Sequence, residues 1–225
     1  MINKHKPMFR LLNDIDRQKL VKTIIDQLDS DHWKLELEKN GVTVFSSDKL
    51  NCPFIGFKTV TCHTAERKIM ISFLGKNILK AMERMNHRYI DGEIVRKIDE
   101  TDVRISYIVR TAFTMPLFIK NREFMHLLHV EEVDKDTSII AYHSVDDDFL
   151  PSPYSGFIRC PIYPSGQRIT ALGKGKVRVE HMMVYDLAGN ISPWVQNKLF
   201  FPGHVRAYLR EWQALIDIFN KERDL

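Results

Sequence analysis

The sequence predicts an α+β fold in which a long antiparallel sheet curves around a C-terminal helix. Three observations carry this expectation. An amphipathic helical segment opens the chain. A series of alternating runs, separated by turn residues, fills the middle. A longer apolar stripe at helical spacing closes it. Strands joined by short turns pair antiparallel, and helices gathered at the ends then cover a face of the sheet.

Ile15, Leu20, Val21, Ile24, Ile25 and Leu28 recur at helical spacing, and Asp14 is placed to cap that helix. From Trp33 the period drops to two. Lys34-Leu35-Glu36-Leu37-Glu38 alternates, Asn40-Gly41 supplies a hairpin turn, and 42–45 forms the return run. Residues 54–62 read as a partner strand, and 65–85 as two short helices broken near Gly75. About seven further β runs follow, at 89–98, 103–112, 123–130, 138–144, 156–162, 168–172 and 176–185. Turns fall at 99–102, Asp134-Lys135-Asp136, Pro164-Ser165-Gly166 and 173–175. The sheet therefore has about nine strands. Ser192 can cap the last helix and Pro193 suits its first turn. Val195, Leu199, Val205, Leu209, Trp212, Ile216 and Phe219 make its inward stripe, and Pro202-Gly203 predicts a kink or break. The space between sheet and helix is filled either by a large core or by a cavity. Periodicity does not choose between them.

The 225 residues, 44% of them hydrophobic, suit one domain over 1–225, with an N-terminal helix within 1–32 and a C-terminal helix within 190–221. A chain of this size buries roughly three quarters of its unfolded surface, so it needs no disulfide or metal. Cys52, Cys62 and Cys160 form no CxxC pair and read as free thiols of a reducing compartment. The net charge of +4 is spread along the chain, which argues against nucleic acid as a partner. Anionic membranes fit better, since each surface Lys or Arg adds about 1 kcal/mol there. The N-terminus lacks the apolar run of a signal peptide, and no run approaches about 18 apolar residues. The expectation is a cytoplasmic protein in peripheral contact with membranes.

No cofactor or metal is called for. His126 and His129, three apart on a strand, point to opposite faces. His143 and His181 would lack further ligands. Asp146-Asp147-Asp148 reads as a solvated loop, Gly173-Lys174-Gly175-Lys176 departs from a phosphate loop, and neither Ser155 nor Ser165 lies in GxSxG.

Several segments, taken in order, resemble the START (StAR-related lipid transfer) domain family. They are Trp33-Lys34-Leu35 with Gly41-Val42-Thr43-Val44-Phe45; Tyr107; Met115-Pro116 with Asn121-Arg122-Glu123-Phe124; Tyr142-His143-Ser144-Val145; Pro151; Gly156-Phe157-Ile158-Arg159; Pro164-Ser165-Gly166; and 186–193 at the junction into the last helix. Glu123 stands where the family pattern has Asp. The resemblance spans Trp33 to the C-terminus and implies a helix-grip fold with a tunnel between sheet and helix. It further implies one sterol, phospholipid or similar apolar molecule bound per domain, no metal, and generally no catalysis.

Under that resemblance the chain is a monomer that carries or senses a lipid ligand and touches a membrane surface transiently. Alternation gives Arg122, Phe124, His126 and Leu128 one inward phase, joined by Tyr107, Tyr142, Phe157, Arg159 and His181. A slip of one residue would exchange the set. Relatives that bind sterols or phosphates often carry a buried arginine where this chain has Leu128, so a charged headgroup contact there is not expected. Residues 146–154 form either a plain surface loop or a gate, with Phe149, Leu150 and Tyr154 meeting Trp194, Val195 and Leu199 of the C-terminal gating helix. Trp194, Phe200 and Phe201 suit a membrane interface or a core equally. The alternative is an enzyme, cyclase- or hydrolase-like, acting in the same cavity through His126, His143, Tyr107 or Glu180.

Overall fold

The computed structural model describes residues 14–101, 104–116, 119–145 and 151–221. Helix α1 (Asp14–Leu28) leads into the hairpin of β1 (Lys34–Lys39) and β2 (Val42–Ser47), then β3 (Gly56–Thr64). Positive φ at both Asn40 and Gly41 gives the tight turn the Asn-Gly pair predicts. Next come α2 (Arg67–Ile71), a π-helical turn (Ser72–Lys76) and α3 (Ile78–Met85), with Gly75 inside the turn. Strands β4 (Tyr89–Glu100), β5 (Arg104–Phe113), β6 (Arg122–Glu132), β7 (Thr137–Ser144), β8 (Ile158–Cys160), β9 (Ser165–Gly173) and β10 (Lys176–Met183) follow. The chain closes with α4 (Pro193–Val195), a second π turn (Gln196–Phe200) and α5 (Phe201–Lys221).

These strands form a ten-stranded sheet in the order β1-β2-β3-β10-β9-β7-β6-β5-β4, with the short β8 paired to β6. The pairings are antiparallel except β6 with β8, which run parallel. The fold is α+β, a curved sheet gripping a long helix, as the sequence predicts. On the inner face Val44, Phe57, Leu128, Ile140 and Val179 pack against Val205, Tyr208, Trp212 and Leu215 of α5 and against Met70, Leu74 and Ile78. The outer face is also covered in part. Leu20, Val21, Ile24 and Leu28 of α1 bury Leu127, Ile139, Ala141 and Met182. Double coverage explains why β5, β6 and β7 are buried almost without alternation.

Two expectations change. The turn read at Pro164-Ser165-Gly166 is instead the start of β9 at Ser165. Ser165 Oγ accepts a 2.8 Å hydrogen bond from Val184 N, and Gly166 lets α1 approach: a Cβ there would lie 2.4 Å from Ile140 O and 2.9 Å from Ile24 Cδ1. No break in the helix falls at Pro202-Gly203. Pro202 directly follows the π turn Gln196–Phe200, whose wider hydrogen-bond spacing accommodates the ring and the missing N–H. The preceding π turn absorbs the change in register, so helical backbone continues from Pro193 to Lys221.

Candidate functional site

Between the inner face and the helices lies a cavity of about 190 Å³. Its apolar wall comes from Ile78 and Met82 of α3, Phe113 of β5, Phe124 of β6, Met183 of β10, and Tyr185, Ala207 and Tyr208 around α5. The volume is below the roughly 300–1,000 Å³ expected of a pocket for a whole lipid. Long side chains account for this: Met82, Met115 and Met183 reach inward beside Phe113 and Phe124. Thioethers rotate at little cost and fill irregular space.

The polar lining follows from register. Tyr142 lies one row from His126, because Leu128 faces Tyr142 and His126 faces Ser144 across β6 and β7. Gln167 stands directly opposite His181, and His181 opposite Thr59. His126 and Tyr142 meet edge to face at 5.7 Å, and His181 packs on Trp212 at 5.0 Å. Burial pushes His126 and His204 down to about 4 and His181 to about 3, so all three are neutral at pH 7. Burial also raises the Tyr142 phenol and pushes the Glu211 carboxyl up to about 7, against the opposing pull of Arg88 and Arg210. Tyr185 Oη and His204 Nε2 lie 3.3 Å apart at this end.

Of the residues read from sequence, Phe124, His126, Tyr142 and His181 line the cavity. Tyr107 and Leu128 share the row of Tyr142, and their side chains are spent in the core. Arg122 has the inward phase but is 2% exposed and engaged by backbone: its Nε donates to Leu187 O at 2.7 Å and its Nη1 to Lys120 O. It clamps the start of β6 to the segment entering α4. Phe157 and Arg159 lie off the cavity. Strand β8 sets Arg159 opposite Glu123, which is on the other face from Phe124, and Arg159 Nε donates to Glu123 Oε1 at 2.6 Å. Phe157 stacks on Tyr154 at 4.9 Å.

Phe149 and Leu150 lie outside the described residues. The returning arm of that loop is held to the sheet's outer side: Ser152 Oγ donates to Glu123 Oε2 at 2.7 Å and Tyr154 Oη to Asp91 Oδ2 at 2.8 Å. The first turns of the C-terminal helix are tied elsewhere. Gln196 accepts from Leu187 N and donates to Tyr185 O, while Asn197 brackets Ile55 N and Pro53 O. Val195 is half-buried, whereas Trp194 is 66% and Leu199 67% exposed.

Sequence reasoning missed Gln167, Arg88, Tyr185, His204, Tyr208 and Glu211. Gln167 was hidden by starting its strand three residues late, at 168 and not at Ser165. Glu211 had a readable sign, a carboxylate one residue before the stripe residue Trp212. The groups an enzyme would need are divided between faces. His126 and Tyr107 point inward. His143 pairs with Leu127 and Glu180 with Arg168 on the outer side. Among the described residues, no three His, Cys, Asp or Glu side chains gather as metal ligands, and no helix is long and apolar enough to cross a membrane.

The family model described as START domain matches residues 19–217. No curated protein matches the sequence. Among solved structures, human StAR-related lipid transfer protein 5 is similar with TM-score 0.73 and 20% identity, over 93% of this chain and 100% of that one. Human STARD10 is similar with TM-score 0.68 and 17% identity, over 93% and 82%. A STAR-related lipid transfer protein fragment from Xanthomonas axonopodis is similar with TM-score 0.67 and 17% identity, over 84% and 99%. At these identities the likeness is one of fold.

Proposed function

The chain belongs to the START domain family, and from that premise we propose that it takes one lipid into the cavity between sheet and α5, to carry it between membranes or to sense it. The observation that supports the proposal is a partly open, mostly apolar cavity at the place where the sheet grips the helix. An acyl chain of about 16 carbons loses roughly 0.8 kcal/mol for each CH₂ moved into water, on the order of 12 kcal/mol in all. A carrier must offset most of that, and an apolar wall does so. The names of the similar structures, StAR-related lipid transfer proteins, support the same activity here.

Filling the site requires Met82, Met115 and Met183 to swing aside, which their flexibility allows. Entry runs past the helical turns bearing Trp194, Val195 and Leu199, and not past the Tyr154 arm, which is held to the sheet's outer side. Aromatic and apolar side chains exposed together suit the membrane–water interface. The protein acts as a monomer in the cytoplasm, as a carrier and not as a catalyst.

Two measurements test this. Native mass spectrometry of the purified protein is expected to find one lipid adduct per chain. Liposomes bearing a fluorescent lipid are expected to load it one to one. Neither adduct nor loading, across sterol, sphingolipid and phospholipid probes, overturns the proposal.

A further inference from the structure

The inner wall carries a set of polar atoms that the protein itself does not satisfy. His126 Nδ1, Tyr142 Oη, Gln167 Oε1, His181 Nδ1 and Thr59 Oγ1 are buried without a hydrogen-bond partner. All five residues are more than nine-tenths buried. Their order follows the sheet: His126 on β6, Tyr142 on β7, Gln167 on β9, His181 on β10 and Thr59 on β3, each on the strand next to the last. They form one oblique belt. The first four line the cavity. With strands about 4.8 Å apart, those four cover roughly 14 Å across the strands, besides their shift along them.

Buried polar groups in native proteins are nearly always paired, and leaving one unmet is costly. A belt of this length is too long for one hydroxyl to satisfy. Its chemistry is mixed but neutral. Gln167 Oε1 accepts, the Tyr142 hydroxyl does either, and a neutral imidazole Nδ1 does either according to tautomer. The charged residues among the described lining are Arg88, just ahead of β4, and Glu211, on α5; they are of opposite sign and neither belongs to the belt. The belt itself carries no cation, since its histidines are neutral at pH 7, so a phosphate laid on it would find no charge there to compensate it.

Resting on the reading of this cavity as a lipid site, we propose that its ligand is an uncharged lipid bearing at least two hydroxyl or carbonyl groups set apart along an apolar frame, which lie on the belt from His126 to His181. An oxidised sterol and a ceramide or diacylglycerol both present that chemistry. A phospholipid held by its phosphate does not.

Competition against a fluorescent sterol probe tests the proposal, with cholesterol, 25-hydroxycholesterol, ceramide, diacylglycerol and phosphatidylcholine as competitors. At least one of 25-hydroxycholesterol, ceramide and diacylglycerol is expected to bind about tenfold or more tightly than cholesterol and phosphatidylcholine. Which one does so tells a ring lipid from a chain lipid. Tyr142→Phe and Gln167→Leu, on separate strands, are each expected to weaken the preferred ligand by roughly fivefold, the size of one lost hydrogen bond, and to leave cholesterol less affected. Circular dichroism checks that each variant folds, and failure of one leaves the other to decide. Equal binding of cholesterol and the richer lipids, or tightest binding of phosphatidylcholine, overturns the proposal. So does an unchanged preference in both variants, which would assign the belt to bound water. Binding of none of the competitors or the probe would instead count against the lipid-carrier reading itself.

Discussion

Arg122 illustrates how a side chain can have the right phase for a cavity and still do other work. Its guanidinium is committed to the carbonyls of Leu187 and Lys120. Arg122→Leu would leave those carbonyls unmet, and the expected loss is about 3 kcal/mol in urea unfolding. Arg122→Lys is expected to recover little of it, because an ammonium lacks the planar fork. The buried imidazoles give a second residue-level expectation. His63, His126 and His204 fall to about 4 and His181 to about 3 when folded, against 6.5 unfolded. Below pH 6.5 the unfolded chain therefore binds more protons, and stability falls as pH drops toward about 4. Glu211 acts in the opposite direction. Its folded value of about 7 lies above the ordinary 4.5, so stability falls as pH rises between them. Thermal unfolding across pH 4 to 8 should show both limbs; Glu211→Gln should flatten the upper one, and His181→Phe should flatten part of the lower. The inward phase of Phe124, His126, Tyr142 and His181 was legible because alternation alone sets it. Arg122's partners were not, since they are backbone carbonyls, one of them 65 residues away at Leu187.

Among the elements, the long strands and both end helices follow directly from period and turn chemistry. The misread ones share a cause: their conformation is decided by what packs on them. Pro164-Ser165-Gly166 has the composition of a turn, yet α1 on the outer face needs the bare glycine, and the strand forms there. A Cβ at Gly166 would meet a backbone carbonyl, which has little room to give. Gly166→Ala is expected to cost about 1–3 kcal/mol and to expose α1 to early proteolysis, seen by limited digestion alongside a lowered Tm. Strand β8 has three residues and pairs parallel, so neither its phase nor its partner could be read from alternation. Phe157 and Arg159 were consequently placed on the wrong side. Pro202 was read by the rule for regular helix interiors, whereas the π turn just before it lets the helical backbone run on past the ring.

At the scale of the whole molecule, the sheet is held from both sides. Helix α5 fills the inner face and α1 braces the outer face of the central strands. The sequence predicts the inner helix and the sheet. It does not give the cavity, because the volume left over depends on how far methionines and aromatics reach across it. The proposed membrane exchange belongs to this scale, since it would join the cavity to the exposed pair at Trp194 and Leu199. Trp194→Ala with Leu199→Asp should slow loading from liposomes roughly tenfold, in keeping with the cost of placing a charge at the interface, and leave Tm within a degree or two. A stopped-flow transfer rate equal to that of the unaltered protein would place membrane contact elsewhere.

The π turn at Gln196–Phe200 contains Leu199 and stands between Trp194 and the packed length of α5. It is a loop of spare backbone: one residue more than an α turn holds, kept at the hinge end of the helix. Passing that residue toward Pro193 would turn the terminal segment by about 100° around the helix axis, like a crank on a fixed shaft. Trp194 would turn to present a different side to its surroundings while Tyr208, Trp212 and Leu215 kept their seats. Amide hydrogen exchange at 196–200 should then run ahead of exchange at 205–218, and quicken further when vesicles are added.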